Sequence, residues 1–297
     1  MLPLPNRWLS SVLLRYQGRL ALFDCGEGTQ ISLRALGWGL KDIDLILISH
    51  LHGDHIGGLP GLLLSQGNAG RTEPIEILGP PGLGDAVARL RVIAPYLPFQ
   101  VRCRDLAAGE TFRLGSLRGA SWPTDHAVPC VAYRLEVPRR PRFLPERAHQ
   151  LGVPREHWKT LQRGEPVSAG GRVVRPGEVL GPPRRGLAVG LVTDTRPAPG
   201  LAEFVADVDL LVCEGTYGSS EDQPKAVERK HMTFAEAAEL ARRAHARQLL
   251  LTHFSPALVD PEAYAPCARA IFSRTVVGTD HLTLSLRFPD EGDTSAA

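Results

Sequence analysis

Hydrophobic residues in this chain fall in short blocks separated by polar turns, and the spacing within the blocks alternates between strand and helix patterns. Ser11–Tyr16 and Leu20–Asp24 read as two strands joined by Gln17-Gly18, a hairpin turn signal. Thr29–Leu36 predicts a short helix ending before Gly37, Leu45–Ile48 a buried strand, and Leu59–Leu64 the first turns of a helix. Ile75–Leu78 predicts another strand, and Pro80-Pro81-Gly82 starts a helix over roughly Asp85–Ala94. Leu117–Trp122 and Val131–Val137 flank the polar segment Asp125-His126. Leu187–Thr193 and Leu210–Val212 are continuous apolar strands. Phe234–Arg247 has helical spacing, with Thr233 as N-cap and Glu236 three residues on, a capping-box pattern. Gln248–Leu251 reads as a strand ending at Thr252-His253, and Val276–Phe288 closes the pattern.

Strands and helices alternate, yet hairpins also occur. That mixture predicts an α/β fold of two mixed sheets sandwiched between helices. A length of 297 residues suits one large domain spanning 1–297, with Pro138–Pro183 as an irregular insertion.

Composition narrows the setting. The five cysteines, Cys25, Cys103, Cys130, Cys213 and Cys267, are scattered and form no C-x-x-C pair, which predicts reduced thiols. Neither a leader-like N-terminus nor an apolar run of transmembrane length is present, so a soluble cytoplasmic protein with no membrane partner is expected. The net charge of +2 is too small to indicate nucleic-acid binding by itself. Its distribution is more telling. Residues 139–185 carry 11 Lys and Arg against 4 Glu and no Asp, a net of +7, which leaves the rest of the chain at −5. Such a local excess suits a segment that grips phosphates.

The chemistry concentrates in Ser49-His-Leu-His-Gly-Asp-His55. Three imidazoles and a carboxylate lie within six positions directly after a buried strand, and these are the ligands that zinc and similar divalent ions take. His50 and His52 alternate with Leu51 and can share a site, while Asp54 and His55 sit one step further round. Further polar residues stand where apolar strands end: His126, Asp194 in Val-Thr-Asp-Thr, and His253 in Leu-Leu-Leu-Thr-His.

This order of residues resembles the metallo-β-lactamase superfamily. The resemblance implies an αββα sandwich with two metal ions. His50, His52 and His126 would hold one, Asp54, His55 and His253 the other, and Asp194 would bridge them. Three further segments resemble ribonuclease Z, the endonuclease that removes 3′ trailers from tRNA precursors. They are Phe23-Asp-Cys-Gly-Glu-Gly-Thr-Gln30, Cys213-Glu-Gly-Thr-Tyr217 followed by His231-Met-Thr233, and an arm from Pro141 to Pro166 containing Leu-Gly-Val-Pro and Leu-Gln-Arg-Gly-Glu-Pro. Cys213 stands where that family usually has His, Gly215 where it often has Ala, and Arg155-Glu156-His157 where its arm has a Gly-Pro element.

The resemblance implies a zinc-dependent endoribonuclease, with two zinc ions or manganese in their place, acting on precursor tRNA as a homodimer. Asp54 would orient the attacking water, His231 would act as general acid, and Glu214 would hold the other ring nitrogen of His231. Residues 139–185 would be the tRNA-binding arm; His157 and Trp158 could stack or hydrogen-bond at its tip, or Trp158 could simply pack the arm together. Two rival expectations are a small-molecule phosphodiesterase on the same scaffold and an inactive RNA-binding paralogue.

Overall fold

The structure is a computed structural model that describes residues 2–5 and 7–289. Its first half contains β1 (Val12–Tyr16), β2 (Arg19–Phe23), α1 (Thr29–Leu36), β3 (Ile43–Leu47), α2 (Gly53–Ile56), α3 (Leu59–Asn68), β4 (Ile75–Gly79), α4 (Leu83–Leu90) and β5 (Val101–Asp105). These strands form a five-stranded sheet in sequential order. β1 and β2 are antiparallel across Gln17-Gly18, both at positive φ, the backbone that a tight two-residue hairpin requires. β2, β3, β4 and β5 are parallel, and helices supply the crossovers that parallel pairing demands.

Next come β6 (Thr111–Leu114), β7 (Leu117–Pro123), β8 (Val131–Arg139), α5 (Pro145–Gln150), α6 (Trp158–Gln162), β9 (Val167–Ala169), β10 (Arg172–Val174) and β11 (Arg184–Val192). The chain closes with α7 (Leu201–Phe204), β12 (Leu210–Glu214), α8 (Gln223–Arg229), α9 (Phe234–Arg243), β13 (Leu249–Thr252), α10 (Ala265–Arg269) and β14 (Thr275–Val277). A seven-stranded sheet runs in the order β14-β13-β12-β11-β8-β7-β6. It is antiparallel over β6–β8 and parallel over β11–β14, so both large sheets are mixed.

Each sheet buries an apolar face. α3 packs Leu59, Leu62 and Leu63 into a core with Leu20, Ile43, Ile46 and Ile75. α9 packs Phe234, Ala237, Ala238 and Ala241 against Leu211, Leu249 and Leu251. Tyr133 of β8 links the sheets: its ring lies edge-on to Phe23 at 5.9 Å, and its hydroxyl donates to the Ile48 carbonyl at 2.7 Å.

The chain divides into two compact units. Of the described residues, one unit comprises 2–5, 7–136 and 188–286, the other 137–187 and 287–289. The second differs from the irregular insertion expected. It holds α5, α6 and the β9–β10 hairpin around a core of Ala148, Val153, Leu161, Val167, Val174 and Val179. Trp158 packs within this unit, against Phe143 at 5.0 Å, and its indole N–H donates to the Val153 carbonyl at 3.1 Å. His157 remains partly exposed.

Other expectations shift at their edges. α4 spans Leu83–Leu90 rather than 85–94, giving way to a 3₁₀ turn. α9 stops at Arg243, four residues short of 247, before His245 takes a positive φ. Its capping box forms as read, with Thr233 and Glu236 reciprocally bonded. The last strand is Thr275–Val277 alone, and residues 278–289 are irregular.

Candidate metal centre

The parallel strands share a direction, so the residues that follow them emerge along the same edges. β3 ends at Leu47 and delivers Ser49 and His50, while β11 ends at Val192 before Thr193 and Asp194. β12 carries Glu214 at its last position, and His253 follows β13. Asp54 and His55 lie on α2, whose N-cap is His52. His126 lies in the turn between β7 and β8. Asp24, Asp194 and His253 adopt positive φ, so three of these strand ends turn sharply through a left-handed residue.

These turns bring the side chains together in two groups of the expected composition and in a third, Asp194, His231 and His253, that overlaps both. His50, His52, His126 and Asp194 offer ligand atoms that all lie within 4.8 Å of one another, as do Asp54, His55 and His253. In the first group His50 Nε2 is 2.9 Å from His52 Nδ1, which is 3.3 Å from His126 Nε2. In the second, His55 Nε2 and His253 Nε2 are 3.1 Å apart, each 3.5 Å from Asp54 Oδ2. Asp194 faces both: Oδ2 lies 3.6 Å from His50 Nε2, and Oδ1 lies 3.4 Å from His55 Nε2 and 3.1 Å from His253 Nε2.

The outer nitrogens of these rings are engaged elsewhere. His55 Nδ1 meets the fully buried Asp24 carboxylate at 2.7 Å, His253 Nδ1 meets Thr216 Oγ1 at 3.1 Å, and His126 Nδ1 meets the Lys230 carbonyl at 3.3 Å. With those nitrogens protonated as donors, the inner nitrogens present bare lone pairs to one another and to carboxylates. Such an array repels itself unless a cation sits within it. A tetrahedral ion with bonds of about 2.0–2.1 Å separates its ligands by about 3.3 Å, in the middle of the spacings here. The donor set of imidazoles and carboxylates therefore fits divalent metal ions.

Electrostatics agree. Burial and the neighbouring imidazoles push His50 down to about 2, so its lone pair stays available. His126 is lowered by burial, against the pull of Asp194. For His55 burial is outweighed by Asp194 and Asp24, which raise it well above the ordinary value. Asp194 and Asp54 resist the effect of burial and lie far below the carboxylate range, because imidazoles surround them. A field that draws protons onto His55 would equally draw a dication.

Glu214 and His231 adjoin this cluster. Buried Glu214 accepts from Thr195 N–H at 2.6 Å, Thr216 Oγ1–H at 2.6 Å and Met232 N–H at 3.1 Å, and its Oε2 is 3.1 Å from His231 Nδ1. Burial would lower His231, but the bond and charge of Glu214, with Asp194, together raise it. The ring lies 5.5 Å from that of His126 and 5.6 Å from that of His253.

Three residues at the centre, Asp24, Ser49 and Thr216, have no part assigned from sequence. Asp24 accepts from Ser49 N–H at 2.7 Å and Ser49 Oγ–H at 2.9 Å, in addition to facing His55. Its signal is the Phe23–Gln30 motif, and the structure explains why that motif is rich in glycine. A Cβ on Gly26 would stand 2.6 Å from the Asp54 carbonyl, and one on Gly58 would stand 2.0 Å from the Gly26 carbonyl. The motif is a backbone cradle for the His50–His55 loop, tied to it by Cys25 N–H donating to the His55 carbonyl at 2.7 Å.

Comparison with known proteins places this geometry in a family. Residues 9–183 match the family model of the metallo-beta-lactamase superfamily. The ribonuclease Z of Lachnoclostridium phytofermentans is 46% identical over 97% of this chain and 95% of its own length. That of Clostridium kluyveri is 45% identical over 97% and 96%. The crystal structure of the short form of human tRNase Z superposes with a TM-score of 0.67 at 25% identity, covering 97% of this chain and 95% of that one. With such identity to curated relatives over nearly its whole length, this chain belongs to the ribonuclease Z family of the metallo-β-lactamase superfamily.

Proposed function

We propose that this protein is a metal-dependent endoribonuclease that removes the 3′ trailer of tRNA precursors, acting with two zinc ions held by the two side-chain groups. The observation that carries the reading is the buried Glu214–His231 pair beside a double His/Asp cluster, in a chain 46% identical to a ribonuclease Z. In this reading His50, His52 and His126 would hold one ion and Asp54, His55 and His253 the other, with Asp194, which faces both groups, as the shared ligand. When bound, the ions supply Lewis acidity, offsetting charge on the phosphodiester and easing deprotonation of a water near neutral pH.

The chain's own residues do the rest. Asp54, kept ionised, orients the attacking water and accepts its proton. The water oxygen forms the new bond to phosphorus, and the bond from phosphorus to the 3′-oxygen of the tRNA breaks. That oxygen needs a proton as it leaves. His231 is held by Glu214 at Nδ1 and, among the described residues, has no partner at Nε2, so it can donate there. The products are a tRNA with a 3′-hydroxyl and a trailer that keeps the phosphate.

The basic unit around residues 139–185 is the proposed tRNA grip, on the strength of its net charge of +7 and its own packed core. By family resemblance we assign a cytoplasmic homodimer. Among the described residues no helix is long and apolar enough to cross a membrane. The test is incubation of the full-length protein with a precursor tRNA and either zinc or manganese. Cleavage after the discriminator nucleotide supports the proposal, and failure to cleave with either metal removes it.

A further inference from the structure

Arg196 lies two residues beyond Asp194 and outside the cluster of ligand candidates. Its side chain, 14% exposed, is a fork with three bonds. Nη1 donates to the backbone carbonyl of His231 and, at 2.9 Å, to Oε2 of Glu236, while Nη2 donates to Oε1 of the same carboxylate. Glu236 is fixed in turn by the capping box, where it accepts from Thr233 N–H at 3.0 Å. The backbone of the turn is equally constrained. Arg196 N–H donates to the Asp125 carbonyl at 3.0 Å, and Thr195 N–H donates to Glu214.

His231 therefore hangs from one short turn at two points. Its ring rests on Glu214, which Thr195 holds, and its carbonyl rests on Arg196. The preceding carbonyl, of Lys230, faces His126 Nδ1 at 3.3 Å. Thr233 already caps α9 through its own hydroxyl, which accepts from Glu236 N–H. What Arg196 adds is a planar two-pronged link, a geometry a flexible ammonium does not reproduce. It connects the turn bearing Asp194 to the segment bearing His231.

We propose that Arg196 is a positioning residue for proton donation: it holds the His231 peptide so that the ring meets the leaving oxygen. This rests on the general-acid reading of His231. Misplacing a reacting group by about 1 Å costs on the order of 100-fold in rate, so loss of the link should appear in kcat.

The experiment compares Arg196→Met, Arg196→Lys and His231→Ala on two substrates. The 3′-oxygen leaving precursor tRNA is strongly basic and needs a proton. The nitrophenolate leaving bis(p-nitrophenyl) phosphate is stable without one. Arg196→Met should lower kcat on precursor tRNA by about 10–100-fold, with KM, bound metal and nitrophenyl-diester turnover little changed. Arg196→Lys should recover part of the loss. Equal losses on both substrates, or none on either, would overturn the proposal. His231→Ala should show the same split, and equal loss on both substrates there would instead remove the general-acid reading. If Arg196→Met does not fold, Glu236→Gln frees the fork without deleting it; a smaller split in the same direction supports the proposal, and no split counts against it.

Discussion

Asp24 Oδ2 stands 2.7 Å from His55 Nδ1, with both side chains wholly buried. A carboxylate behind a metal-binding imidazole fixes its tautomer and raises its basicity. Asp24→Ala should therefore weaken metal binding by about 10–100-fold, chiefly at the group containing Asp54, His55 and His253. Metal titration by calorimetry checks this. Unchanged affinity at both groups would detach Asp24 from the centre.

Glu214 is the partner that raises His231 against the effect of burial. In Glu214→Gln the charge of Asp194 is left alone against burial, so the His231 value should fall from its wild-type position in metal-free protein, read by NMR titration. The sign for stability follows. A raised histidine contributes most below its unfolded value, and the contribution fades as pH rises through the folded value. The wild type should thus exceed Glu214→Gln in stability by more at pH 5 than at pH 9. Precursor cleavage by the variant should drop by about 100–10,000-fold in kcat.

Glu236 behaves oppositely. Burial would raise it, but the bonds from Arg196 and Thr233 together outweigh that and lower it. A lowered carboxylate contributes stability above its unfolded value, near 4.3, and loses it as pH falls through the folded value. Glu236→Gln should cost about 1.5–3 kcal/mol at neutral pH, and the difference from wild type should vanish in acid. Chemical denaturation at several pH values measures both.

The basic unit makes a prediction of another kind. Replacing Arg140, Arg147, Arg163 and Arg175 with Gln should raise KM for precursor tRNA and flatten its dependence on salt. The log–log slope should fall by roughly 0.9 for each duplex phosphate that is no longer neutralised. Turnover of bis(p-nitrophenyl) phosphate should not change. An unaltered salt slope would argue against this unit as the tRNA grip.

The positions of the central strands were legible because each is a short apolar block ended by a polar or glycine turn, as with Ile43–Leu47 before His50. The capping box of α9 was legible for the same reason: its signal is local. β5 and β6 were not. Val101–Asp105 alternates apolar with charged residues, and Thr111–Leu114 is too short to show a period. Packing of the arm by Trp158 is one of two readings of that residue, but the rest of that core escaped, since Ala148, Val153, Leu161 and Val174 are spread over turns that carry no periodic signal. At the centre, the His50–His55 cluster announces itself through spacing. The pairings of Asp24 with His55, Thr216 with His253 and Arg196 with His231 join residues 31, 37 and 35 positions apart, and only the folded turns reveal them.

Metal-dependent removal of the trailer is tested most directly by the ends produced when metal-stripped and zinc-reloaded protein meet a precursor tRNA. The reloaded enzyme should cut once, after the discriminator nucleotide, giving a 3′-hydroxyl on the tRNA and a 5′-phosphate on the trailer, while the stripped protein should be inactive. Undiminished cleavage after stripping, or a phosphate left on the tRNA, would contradict it.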